Sequence, residues 1–133
     1  MVVNYVYKRN RRTFYKQLDQ RIRQMIQLCA DDLTLSGFTG EVQIIFQTGK
    51  SRAESHLHGM CCFFRRPLPT IYIYTRYRRI MTILDTIAHE FGHIAHFVLY
   101  PKSHTHWCKD YREQFAERYA KIMLERWNGV NTA

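Results

Sequence analysis

Two histidines four residues apart, His89 and His93, bracket a glutamate at position 90 and a glycine at position 92. On a helix, residues at i and i+4 stack on one face, so both imidazoles can reach a single ion. Zinc suits such a pair: it takes imidazole nitrogen readily and, in a catalytic site, keeps one position open for water. Glu90 would stand beside that position. It could accept a proton from a water whose pKa the metal has brought down to about 7. In a chain of this composition the pattern arises by chance in roughly 0.02 copies. The plain alternative is a pair of polar-face or core histidines with no ion between them.

This chemistry requires a helix. From 77 to 100 there is no proline and a single glycine. Ile80, Ile83, Leu84, Ile87, Phe91, Ile94, Ala95 and Val98 recur at helical spacing, which predicts a long helix with a broad apolar face. Pro101 must end it.

A catalytic zinc takes three protein ligands, so a third must come from elsewhere. The metzincin continuation needs a glycine at 96 and a histidine at 99. His96 and Leu99 stand there and exclude it. The best supplier is Glu113, on a final helix expected over 107–128 and stopped by Gly129. Glu113, Ala116, Glu117 and Ala120 fall on one face, and the two alanines let this helix approach another closely. Glu117 could accept a hydrogen bond from the second nitrogen of a ligating histidine, or could itself be the ligand. His104 and His106, in the loop before Trp107, are further alternatives for the third position. His96 could stand beside the metal or be a core histidine. His56 and His58 have no partner spacing. Tyr111, Phe115, Tyr119, Ile122 and Met123 lie mostly on another face of the last helix and are expected in the core.

The remaining elements follow from pattern. Residues 1–9 read as an extended lead-in. A basic amphipathic helix is expected over 13–33, with Phe14, Leu18, Ile22, Met25, Ile26 and Cys29 as its apolar stripe. The segment 36–40 breaks it. Strands are expected over 41–48, 58–65 and 70–75, with Pro67 and Pro69 marking the turn between the last two. The order α-β-β-β-α-α implies an α+β fold, a small three-stranded sheet packed on the motif helix, in one domain spanning 1–133.

A length of 133 residues suits one modest core. No apolar run approaches the roughly 20 residues that span a bilayer. The short N-terminal segment is followed by Lys8 and Arg9, unlike a signal peptide, so a cytoplasmic location is expected. Cys29, Cys61, Cys62 and Cys108 have no paired zinc spacing and read as free thiols of a reduced compartment. The net charge of +9, concentrated in residues 1–30 and 65–79, suits an anionic partner such as nucleic acid or an acidic protein, or simply a soluble basic surface.

With both helices in view, the chain resembles the small zincin-type metallopeptidases, most closely the ImmA/IrrE-like family. That family carries His-Glu-x-Gly-His on one helix and Glu-x-x-Ala-Asn/Asp-x-Phe-Ala on the next. His89-Glu90-Phe91-Gly92-His93 matches the first. Glu113-Gln114-Phe115-Ala116-Glu117-Arg118-Tyr119-Ala120 is similar to the second, with Glu117 for Asn or Asp and Tyr119 for Phe. The likeness covers roughly 70–124. It implies a minimal zincin-like fold, one zinc ion held by His89, His93 and Glu113, and Glu90 as general base. SprT-like proteases, which act on DNA-bound protein, are similar in another way. His104-Thr105-His106-Trp107 resembles their downstream histidine segment, without its usual His-Gly pair.

Peptide hydrolysis is therefore the expected reaction: Glu90 deprotonates the attacking water and returns the proton to the leaving amine. The substrate would lie extended along an edge strand, with 59–64 the expected one. His104, His106 and Tyr100 are candidates for oxyanion support. The competing expectation is a basic module for nucleic acid or a protein partner, whose zinc is structural or whose site is degenerate.

Overall fold

A computed structural model describes residues 2–8, 19–47, 59–62, 69–75, 78–101 and 109–132. Its element order is β1 (Val2–Lys8), α1 (Gln20–Leu35), β2 (Glu41–Gln47), β3 (Gly59–Cys62), β4 (Thr70–Tyr74), α2 (Ile80–Leu99) and α3 (Lys109–Thr132). The α+β class holds, but the sheet has four strands, in the order β1-β2-β4-β3, rather than the expected three.

The extra strand is β1, where an extended lead-in was expected. Its sequence, VVNYVYK, is rich in β-branched and aromatic residues. It pairs parallel with β2, Val2 opposite Glu41 through Lys8 opposite Gln47. A parallel pair needs a crossover connection, and α1 lies in it. β2 and β4 are also parallel, and β3 runs antiparallel to β4 at the sheet's end. β4 is buried along its whole length, as its near-continuous TIYIY run implies.

One face of the sheet, carrying Val42, Ile44, Phe46, Ile71 and Ile73, shares a core with all three helices. The other face carries a small cluster of Ile45, Tyr72 and Tyr74. The stripe expected on α1 is present as Ile22, Met25, Ile26, Cys29, Ala30 and Leu33. Asp19 caps this helix by accepting from the Arg21 N–H at 2.8 Å, so it begins at Gln20; the expected helical residues 13–18 lie outside the described residues. The helix ends in a Schellman motif. Phe38 N–H donates to Leu33 O and Gly37 N–H to Thr34 O, both at 3.0 Å. Gly37 takes the left-handed conformation this motif requires, at φ 99°.

α2 runs as its periodicity implies and ends with Tyr100 N–H on His96 O, immediately before Pro101. α3 continues through Gly129 to Thr132, where a stop at Gly129 was expected. A glycine within a helix costs only about 1 kcal/mol. Buried Trp127 and a 2.8 Å hydrogen bond from Asn131 Nδ2 to Trp127 O hold the last turns in place. Among the described residues no helix is long and apolar enough to cross a membrane. Cys29 is a free, fully buried thiol, and burial pushes its pKa far up.

Candidate metal centre

The site forms where α2 and α3 touch, and two small residues make that contact. A Cβ on Gly92 would lie 2.8 Å from Ala116 Cα and 3.1 Å from the Ala116 carbonyl oxygen. The helices therefore meet backbone to backbone. They run in opposite senses, since His96 packs against Tyr111 and Phe115 while Gly92 packs against Ala116 and Tyr119. Ala116, Ala120, Met123 and Trp127 form the buried face of α3. Met123 thus joins the alanine face, whereas Tyr111 and Ile122, expected in the core, are about half exposed.

Three of the expected residues converge at this contact. His89 Nε2 lies 2.9 Å from Glu113 Oε2, and His93 Nε2 lies 3.2 Å from Glu113 Oε1. The two imidazoles stand edge to face, with centroids 5.1 Å apart. One ligand atom from each of the three side chains lies within 4.8 Å of the others. Tetrahedral zinc with ligands at about 2.0–2.2 Å sets its donors roughly 3.4 Å apart, so the group is of the right size and donor chemistry for that ion. Burial holds the His93 imidazole down to about 4, opposed by Glu113 and assisted by His89, Arg112 and His96. His93 is then neutral near pH 7, the form that binds a metal.

Glu90 is different in kind. It is 6% exposed, and its Oε2 is buried without a hydrogen-bond partner. Burial first, and the nearby Glu113 carboxylate second, push its pKa up to about 8. A buried unpartnered carboxylate oxygen is costly. A cation and a water beside it would relieve that cost.

Glu117 does not take the part expected of it. It is exposed, and among the described residues no hydrogen bond joins it to His89 or His93. Glu117 stands one turn, about 6 Å, further along α3 than Glu113, the residue that reaches the imidazoles. His96 is 1% exposed within an aromatic cluster of Tyr100, Tyr111 and Phe115. Tyr100 is half exposed at the end of α2. His56, His58, His104 and His106 lie outside the described residues.

Two contributors carried no signal in the sequence alone. Gly59, on β3, is buried against α2, and a Cβ there would lie 2.7 Å from Thr86 Cγ2 and 3.2 Å from Glu90 Cγ. Asp32, on α1, accepts from Tyr119 Oη at 2.9 Å and from Arg126 Nη1 at 3.0 Å. These bonds tie α3 to α1, from Tyr119 at the Gly92 contact to Arg126 about two turns further on. Comparisons with protein-family models, with curated proteins and with solved structures find no match for this chain, so its own geometry bears the functional interpretation.

Proposed function

We propose that this chain is a zinc-dependent metallopeptidase with a minimal zincin-like fold. His89, His93 and Glu113 would hold one zinc ion per chain, and Glu90 would be the general base. A single observation carries this: metal-ligating side chains from two helices converge beside a buried carboxylate with an unpartnered oxygen. A zinc ion held there would supply Lewis acidity for the scissile carbonyl and an activated water near neutral pH. Glu90 does the proton work: its carboxylate takes a proton from the attacking water and delivers it to the leaving nitrogen. Its burial keeps bulk water from competing for that proton.

The architecture supports the same assignment. Among the described residues β3 is the terminal strand of the sheet, antiparallel to its neighbour, and it packs on α2 beside Glu90. An extended peptide could add there as a further strand. The proximity of Glu113 to both imidazoles favours the ImmA/IrrE-like ligand set over the SprT-like one, whose third donor is a histidine.

Metal analysis of the purified protein tests this. One zinc per chain is expected, lost in Glu113→Ala and kept in His104→Ala and His106→Ala. Zinc retained in Glu113→Ala, with loss in either histidine variant, would overturn the ligand set.

A further inference from the structure

Gly59 sits where the edge strand crosses the helix that carries Glu90. Its buried α-carbon faces the turn of α2 between Thr86 and Glu90. The first atom a side chain would meet is Thr86 Cγ2, at 2.7 Å, followed by Tyr72 O at 3.0 Å and Glu90 Cγ at 3.2 Å. Non-bonded carbons ordinarily stand about 3.5–4.0 Å apart. Any side chain at 59 must therefore move the strand, or the Thr86–Glu90 turn, by about 1 Å.

The displacement falls on the element that matters. Gly59 pairs with Ile73 on one edge of β3, and among the described residues β3 ends the sheet on the other. Among the described residues its outer edge pairs with no other strand; an extended peptide would lie there, and Glu90 is the group that must reach that peptide's scissile bond. A general base works only within hydrogen-bond reach of the proton it moves.

Given the peptidase assignment, on which this rests, we propose that Gly59 is a positioning residue for hydrolysis: its missing side chain sets the spacing between the substrate-bearing edge strand and Glu90. Thr86 is its counterpart. The Thr86 hydroxyl is engaged with Thr82 O at 2.9 Å, so the methyl is the part turned toward Gly59.

The test is a four-way comparison of wild type, Gly59→Ala, Thr86→Ser and the double variant, each loaded with zinc. Hydrolysis is read on short, internally quenched peptides of mixed sequence. Gly59→Ala is expected to lose on the order of 10²-fold in kcat, the cost of an ångström-scale misplacement, with KM changed far less. Thr86→Ser, which removes the methyl and keeps the hydroxyl, should restore most of kcat to Gly59→Ala. Zinc content and thermal midpoint, measured alongside, should be close to wild type in the double variant. If Gly59→Ala does not accumulate folded, the double variant carries the test, and a kcat as low as that of Glu90→Gln overturns the proposal. Unchanged kcat in Gly59→Ala, or a loss that Thr86→Ser does not relieve, also overturns it while leaving the peptidase assignment intact. A zinc-loaded wild type that cleaves none of the peptides refutes the peptidase assignment itself, and the role of Gly59 falls with it.

Discussion

The α2 side and the α3 side of the site each bring one glutamate, and the two are treated oppositely. Glu113, from α3, has a side chain 40% exposed and engages both imidazoles with its two oxygens. Glu90, from α2, is 6% exposed with one oxygen unpartnered. The same side chain thus stands in two environments, one open to solvent and one closed. A carboxylate that reaches both imidazoles with its two oxygens suits a cation. A buried one resists ionisation and can take up and return a proton. What separates them is the neighbouring chain: solvent on one side, and the edge strand at Gly59 on the other.

The largest effect should come from removing the ionisable group on the α2 side. Glu90→Gln removes the proton acceptor and keeps the shape. Peptide hydrolysis should fall by roughly 10²–10⁴-fold, with zinc content unchanged. A variant that cleaves as fast as wild type at full zinc occupancy would remove Glu90 from the reaction and leave the buried carboxylate without a role.

A smaller effect tests how the two sides are brought together. A methyl at position 92 would meet Ala116 backbone at 2.8 and 3.1 Å, and backbone cannot step aside as a side-chain end can. Gly92→Ala should therefore push α3 off α2. It should cost about 3 kcal/mol in denaturant unfolding, the upper part of the usual range for overpacking. Weaker zinc binding should accompany it, since Glu113 rides on α3. Wild-type stability together with wild-type zinc affinity would show that the helices have room to spare.

Much of this contact could be read in the sequence, because it rests on local pattern. The helical period around His89 and His93 is strong, and the alanines at 116 and 120 mark a face that admits close approach. Glu113 and Glu117 could not be ranked by spacing alone, since one turn separates them. The Gly92–Ala116 contact sets where along α3 the two helices meet and brings Glu113, rather than Glu117, to the imidazoles, and that is a tertiary fact. β1 was missed for a related reason. Its residues are good strand formers, but its partner β2 lies beyond a whole helix, and a parallel pair leaves no hairpin turn to mark it. Gly59 had no signal at all: its neighbours Thr86 and Glu90 are far along the chain and meet it only when the sheet packs on α2.

The smallest effect concerns the cost of burying Glu90. In protein stripped of metal with excess chelator, Glu90 folds with a pKa of about 8 against an ordinary 4.5, so the folded state holds the proton longer. Stability must then fall as pH rises from 4.5 toward 8. His93 works the other way, titrating near 4 when folded against 6.5 when unfolded. Its folded form refuses a proton that the unfolded chain accepts, so stability rises with pH up to 6.5. Between 4.5 and 6.5 the two slopes oppose each other. From 6.5 to 8 only Glu90 remains, and metal-free protein should lose about 2 kcal/mol over that interval. Glu90→Gln should flatten this stretch, because an amide does not titrate. Zinc should flatten it too, since a dication beside the carboxylate favours the ionised form that burial opposes. Equal urea midpoints at pH 6.5 and 8 in the metal-free wild type would mean that Glu90 is hydrated in solution, and the contrast between the two glutamates would lose its physical basis.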